Sequence, residues 1–202
     1  MSSPSRLLHG RMSEISKLIN DLSSGNDDLA EESVRQLINI KDEALPYLLS
    51  LRSSKVIDDR WWAYCALGQF PGAEVEWFIP GLHDRSAEVR ESAAMALGHH
   101  PDPSAIHELI LALNDDDRMV ASLAGHALST IGNDAVPELI FVMENGSPAA
   151  RIEAARALST IKDPRVIPVF MNALGNGSEL VKFWADQGLD TMGAEMVYFR
   201  PG

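Results

Sequence analysis

Histidines and carboxylates come closest together between His99 and Asp117. His99 and His100, followed by Asp102 and His107, are the donor types of a transition-metal site, and His107-Glu108 is the one His-Glu pair in the chain. Against a metal cluster, His99 and His100 lie in the tight turn Gly98-His99-His100-Pro101-Asp102-Pro103, no cysteine is near, and the pattern does not recur. Ordinary polar turn residues account for them. The acidic run Asp115-Asp116-Asp117 lacks the spread over roughly twelve residues that a Ca²⁺ loop needs. Ahead of a helix, it serves to cap the first turn and oppose the helix dipole. Cys65 has no nucleophile context, and no Gly-rich phosphate loop is present. These residue types therefore assign no catalytic residue, no metal ligand and no cofactor site.

The framework that positions these groups is periodic. Leu7, Leu37, Leu67, Leu97, Leu128, Leu158 and Leu189 recur at gaps of 30, 30, 30, 31, 30 and 31 residues. A period of this size marks a solenoid that stacks one supersecondary unit. With each leucine counted as position zero, apolar or small residues fall at −8, −4, −1 and zero, one side of a helix. The −4 column is Ser33, Ala63, Ala93, Ala124, Ala154 and Ala185. Side chains this small let helix backbones approach closely, so this is the first helix of a hairpin.

A second stripe begins eight residues after each anchor, at +8, +11, +12 and +15, the spacing of an amphipathic helix. Leu18, Leu48, Phe78, Leu109, Leu139 and Phe170 form its +11 column, and Arg52 is the odd member at +15. The turns after Leu97 and Leu158 each carry one extra residue, which accounts for the long gaps. Gly98 to Pro103 and Lys162-Asp163-Pro164 divide first from second helices; Asn145-Gly146-Ser147-Pro148 and Asn176-Gly177-Ser178 divide repeats. Pro46, Pro137 and Pro168 share a column expected in the first turn of the second helix, where a missing N–H costs little. Pro80 falls inside a second helix and should shorten or kink it.

The stretch Glu88-Val89-Arg90-Glu91-Ser92-Ala93-Ala94-Met95-Ala96-Leu97-Gly98 resembles the short HEAT-like repeat named after phycobilisome lyases, D-x-x-V-R-x-x-A-A-x-A-L-G followed by I-P-x-L-I-x-x-L. The resemblance covers about residues 25–190 and is incomplete at both ends: little chain precedes Leu7, and a last second helix opening at Val197 stops near Phe199. It implies an all-α right-handed superhelix of about six helical hairpins, one domain over residues 1–202. It is specific for fold and poor for function, since unrelated activities share the repeat. Deoxyhypusine hydroxylases are similar HEAT proteins and hold a di-iron centre with His-Glu pairs about six residues before the anchor leucine. The equivalent slots here hold Trp61-Trp62, Glu91-Ser92, Ser122-Leu123, Ile152-Glu153 and Phe183-Trp184. None is His-Glu, and His107-Glu108 lies on a second helix, so this comparison argues against that activity.

Composition narrows the classes further. A net charge of −12, from 29 acidic and 17 basic residues, opposes a general phosphate-binding role and so a nucleic-acid partner. Arg60, Arg90, Arg151 and Lys182 do share the −7 slot. In this family that slot pairs with the acidic start of its own or a neighbouring helix, and Asp59, Glu88 and Asp117 are the nearby candidates. No run of eighteen apolar residues predicts a membrane span, the N-terminus lacks a secretory apolar core, and a lone cysteine suits a reducing interior. A cytoplasmic protein is expected.

Aromatic residues and one helix face carry the functional expectation. Trp62 and Trp184, at −5, are expected to pack on a neighbouring helix, with Phe183 and Trp184 capping the last repeat. Trp61 and Tyr64 are expected to point away from the buried stripe. On second helices the face opposite the stripe is read as offsets +10, +13 and +14, which the resemblance places on the concave surface. There Tyr47, Leu51 and Trp77 form one apolar patch, and Leu111, Phe141 and Val142 form another, edged by Glu108 and Glu138. Large apolar residues framed by carboxylates suit a partner helix or loop bearing basic residues. The expected function is a non-catalytic protein-binding scaffold. The alternatives are a bilin lyase subunit or chaperone-like factor acting on phycobiliproteins, as the resemblance implies, and an acidic immunity or inhibitor protein.

Overall fold

A computed structural model describes residues 4–193, with side chains from Met12 onward. Leu7 therefore has no described side chain, and Val197 and Phe199 lie outside the described residues. The described chain is all-α: α1 (Pro4–Leu22), α2 (Asp27–Asn39), α3 (Lys41–Leu51), α4 (Ile57–Leu67), α5 (Ala87–His99), α6 (Ile106–Ala112), α7 (Arg118–Ile131), α8 (Val136–Asn145), α9 (Pro148–Ile161), α10 (Ile167–Asn176) and α11 (Glu179–Thr191). No strand occurs among the described residues. The chain parts into two compact units, Met1–Ala96 and Leu97–Gly202, with the boundary inside α5.

The repeat columns become the core of each unit. Leu37 and Leu67 in the first, and Leu97, Leu128, Leu158 and Leu189 in the second, are fully or almost fully buried, as is every member of the −4 column from Ser33 to Ala185. At +11, Leu18, Leu48, Phe78, Leu109, Leu139 and Phe170 are buried too. Hairpins of this kind cannot bury their apolar stripes alone, so each depends on its neighbour for a core.

The first unit departs from the regular repeat in three places. Only Ile40 separates α2 from α3, so α3 starts early, on Lys41-Asp42-Glu43, whose carboxylates suit a helix N-terminus. Pro46 thus sits inside the helix and not in its first turn, the position the column predicts. Where the third repeat should have a second helix, the chain makes two 3₁₀ turns, Val75–Trp77 and Ile79–His83. Pro80 lacks the N–H an α-helix would use there, and the bonds formed instead span three residues, as in Phe78 N–H to Val75 O at 2.9 Å and Gly81 N–H to Phe78 O at 2.8 Å.

Gly81 explains the third departure. A Cβ at Gly81 would lie 2.6 Å from Tyr64 Cζ and 2.6 Å from Ala93 Cβ, so the phenol ring occupies the space a side chain would take. Tyr64 is only 2% exposed, which corrects the expectation that it faces outward. Burial raises its hydroxyl pKa, and the neighbouring Arg52 guanidinium opposes that shift. Arg52 stands in an apolar column because it is a connector: it donates to Leu49 O at 3.1 Å and to the Trp77 carbonyl.

Arg60 corrects the pairing expected of the −7 slot. Its Nε and Nη2 each lie 2.7 Å from a carboxylate oxygen of Asp84, and its Nη1 donates to Ser54 O at 3.1 Å. The two side chains are 5% and 13% exposed. Arg90, the same slot one repeat on, donates to the Asp84 carbonyl at 3.0 Å, while Asp59 accepts from the Ser54 hydroxyl. Burial pushes the Asp84 carboxyl up, but the Arg60 guanidinium and the Ser86 N–H outweigh it and hold it below the ordinary carboxylate value.

The second unit is regular. Asp117, Ser147 and Ser178 cap α7, α9 and α11, accepting from Met119 N–H at 2.7 Å, Ala150 N–H at 3.2 Å and Val181 N–H at 3.5 Å. Pro137 and Pro168 sit in the first turns of α8 and α10 as their column predicts. Neighbouring repeats are joined by Ser147 Oγ to Asn114 Oδ1 at 2.7 Å, Arg156 Nη2 to Ser122 O at 2.7 Å and Arg165 Nη2 to Asn133 O at 2.9 Å. Phe170 replaces the leucine of its column and Gly188 the alanine of another. A Cβ at Gly188 would meet the Phe170 ring at 2.3 Å, so the two substitutions fit each other.

Candidate functional site

The second helices bury a stripe rotated from the expected one by roughly 40° of helix, at 100° per residue. At +14, Gly81, Ala112, Val142 and Ala173 are buried, while Ile110 and Ile140 at +12 keep partial exposure. Val142 is therefore a core residue, 6% exposed, and not part of a surface patch. Ala112 and Ala173 let α6 and α10 press close, as Gly81 does for the 3₁₀ turn that stands in for the third repeat's second helix. The outward face is centred instead on +13 and flanked by +9 and +10.

In the Leu97–Gly202 unit this face holds the most exposed large apolar side chain of any second helix: Phe141 at 65%, with Leu111 at 52%. Glu108 is half-buried and Glu138 exposed. Glu138 and Phe141 are three residues apart on α8, and Glu108 and Leu111 three apart on α6, so each pair shares a helix surface. Between α6 and α8 lies an open cleft of about 280 Å³, lined by Pro103, Ser104, Ile106, His107, Ile110 and Glu138. His107 thus stands at the rim of a groove whose floor is two isoleucines. The Glu138 carboxylate makes no hydrogen bond or ion pair among the described residues.

Charge adds a signal that column-by-column reading misses. Arg118 is the one Lys or Arg among residues 91–150, against nine Asp and Glu. α6 and α8 carry carboxylates and no lysine or arginine. A running count of charge along the chain would have found this stretch without any structure.

The Met1–Ala96 unit presents its expected residues differently. Tyr47, Leu51 and Trp77 are all half-buried. The Trp77 indole N–H lies 3.2 Å from Glu74 Oε2, and its carbonyl receives Arg52. Trp61 and Trp62 meet edge to face with centroids 4.7 Å apart, both half-buried. Phe183 and Trp184 make the same contact at 5.0 Å, with Phe183 largely in solvent.

Among the described residues, no group of three or more His, Cys, Asp or Glu side chains gathers as a metal-ligand set. The residues present do not fit a di-iron centre. Asp102 and Asp117 are spent on backbone N–H groups, of Ser104 at 2.8 Å and of Met119 and Val120. Cys65 is half-buried, and burial pushes its thiol up to about 12, far from the range of a nucleophilic cysteine. No helix among the described residues is long and apolar enough to cross a membrane.

Comparison with known proteins places the repeats. Residues 75–144 match the family model of HEAT repeats, and residues 150–176 that of the PBS lyase HEAT-like repeat. A deoxyhypusine hydroxylase from Danio rerio is 35% identical over 107 residues, 52% of this chain and 35% of that protein. Phycocyanobilin lyase subunit beta from Nostoc sp. strain PCC 7120 is 32% identical over 81 residues, 40% of each chain. The matches thus span well under two thirds of these relatives. Among solved structures, a designed armadillo repeat protein in complex with the peptide (KR)4 superposes with a TM-score of 0.51 at 17% identity, over 89% of this chain and 99% of that one. That likeness shows the fold, a helical-repeat solenoid of the HEAT and armadillo class.

Proposed function

We propose that this chain of HEAT-like repeats is a protein-binding scaffold, non-catalytic by itself, that holds a partner bearing basic residues on the outward face of its second helices. The observation that carries the reading is the exposure of Phe141 and Leu111 on two helices that have carboxylates and no lysine or arginine. Exposed aromatic residues are favoured anchors of protein interfaces, and an acidic surround steers a cationic partner and disfavours nucleic acid. Tyr47, Leu51 and Trp77 supply a second contact surface in the other unit, and Glu108 and Glu138 orient basic groups. A lone cysteine accords with action in the cytoplasm. The armadillo protein bound to (KR)4 is a precedent for this fold class holding a cationic chain.

The test is a photo-reactive amino acid at position 141 in the native host, with the same substitution at Trp61 for comparison. A discrete adduct from 141, lost on Leu111→Asp, is the expected result. An adduct from 61 and none from 141 would move the working surface to the first helices and end this reading. A second reading, a subunit acting on bilins, is favoured by the 32% identity to phycocyanobilin lyase subunit beta. Bilin attachment to an apo-phycobiliprotein, followed by visible absorbance with and without the purified chain, checks it.

A further inference from the structure

The cleft between α6 and α8 has the dimensions and chemistry of a pocket for one long cationic side chain. Its volume of about 280 Å³ lies under the roughly 300–1,000 Å³ of typical small-molecule sites and accommodates a single side chain. Its lining sorts into two parts: Pro103, Ile106 and Ile110 are an apolar wall, and the polar part is Ser104, His107 and, on the opposite helix, Glu138, a carboxylate with no partner of its own among the described residues. Arginine and lysine need this combination, since their methylene stems lie along apolar surface while the charged head seeks an anion. The chain does not fill the demand itself: Glu138 forms no ion pair among the described residues, and the nearby Arg165 is engaged with Asp163 and the Asn133 carbonyl.

We propose that this cleft receives one arginine or lysine of the partner, its stem on Ile106 and Ile110 and its head on Glu138. Phe141, three residues along α8, then meets the adjoining part of the partner segment. The proposal rests on the scaffold reading above and makes that reading specific: the partner is a cationic segment, recognised one basic side chain at a time.

The full chain, methyl-labelled at isoleucine, is titrated with an acetylated octapeptide alternating arginine and alanine, and with one carrying glutamate in place of arginine. The arginine peptide should shift the Ile106 and Ile110 methyl resonances saturably, and the glutamate peptide should not. Glu138→Gln should weaken binding at least tenfold, whereas Glu179→Gln, an equal loss of charge at the exposed first residue of α11, should leave it unchanged. Equal weakening by both variants would mean diffuse attraction to an acidic surface and overturn the pocket. Unmoved Ile106 and Ile110 methyls, or no peptide binding at all, would overturn it as well. In each of these cases the adduct from position 141 still decides the scaffold reading separately.

Discussion

In the Leu97–Gly202 unit, one repeat is tied to the next by single hydrogen bonds set 32 to 34 residues apart, such as Ser147 to Asn114 and Arg165 to Asn133. The Met1–Ala96 unit has single bonds of that kind too, from Lys41 to the Pro71 carbonyl and from Arg85 to that of Lys55. Its third repeat, however, is held by a two-point ion pair between well-buried side chains, Arg60 on Asp84, beside Arg52 on the Trp77 carbonyl. The difference follows from one stretch of chain. Around Pro80 and Gly81 the third repeat has no second α-helix, and 3₁₀ turns leave carbonyls and space that a packed helix would have covered. The Arg52 guanidinium takes the Trp77 carbonyl, that of Arg90 takes the Asp84 carbonyl at the end of the turns, and the Tyr64 ring takes the space. A helical repeat can thus lose a helix and keep its anchor leucine buried, but its stability then depends on ion pairs and shape-matched neighbours.

Four sets of substitutions test that contrast. The largest effect belongs to the shared column: Ala93→Asp in one unit and Ala124→Asp in the other would each bury an unpaired carboxylate, costing about 3 kcal/mol or more. If the units are separately stabilised, hydrogen exchange should rise in α2–α4 for Ala93→Asp and in α9–α11 for Ala124→Asp. Loss of protection everywhere in both variants would make the two units one cooperative body.

Asp84→Ala comes next. It leaves the Arg60 guanidinium buried without its carboxylate, a change of about 3 kcal/mol, whereas Asp163→Ala, whose partner Arg165 is half in solvent, should matter much less. The acid response has a definite sign. Asp84 has a folded pKa below its unfolded value of about 3.8, so its stabilisation is present above that value and is lost as pH falls through the lowered folded pKa. Acid melts followed by near-ultraviolet circular dichroism should show a steep loss in the parent below that pH and a shallower one in Asp84→Ala. Equal slopes would remove the ion pair from the account.

Smaller effects probe packing and capping. Gly81→Ala forces a methyl onto Tyr64 and Ala93, and Gly188→Ala onto Phe170, each costing about 1–3 kcal/mol. Thermal melts of Phe170→Leu with Gly188→Ala should recover most of that loss, because the pair restores the column's usual residues. Ser147→Ala removes the α9 cap and its bond to Asn114, for about 1 kcal/mol in urea titration.

Periodicity made the core legible in detail. The anchor leucines, the small −4 column, the cap at Asp117 and the inter-repeat turns at Ser147 and Ser178 could all be read from spacing, because each depends on residues within one turn or one repeat. The features that escaped depend on what a neighbour lacks. Tyr64 turns inward because Gly81 has no side chain, and Arg60 reaches a carboxylate 24 residues away in the turn before α5. The face of the second helices was misjudged by less than half a residue's rotation, enough to move Val142 into the core while leaving Leu111 and Phe141 outside. The small residues Gly81, Ala112 and Ala173 were the clue, since the same logic had already identified the −4 column. Glu138 was singled out in the sequence because carboxylates frame apolar residues there, but the cleft it lines is visible only in the fold.

Cys65 gives the first unit a way to be timed. Its thiol, raised to about 12 by burial in α4, is almost wholly protonated at neutral pH, so in the folded unit this half-buried cysteine meets an alkylating reagent with very little thiolate to attack it. The chain has no second cysteine to confuse the signal. The alkylation rate at fixed pH, compared with that of the unfolded chain, therefore reports how far the Met1–Ala96 unit restores an ordinary thiol when it loosens, and it does so on unmodified protein.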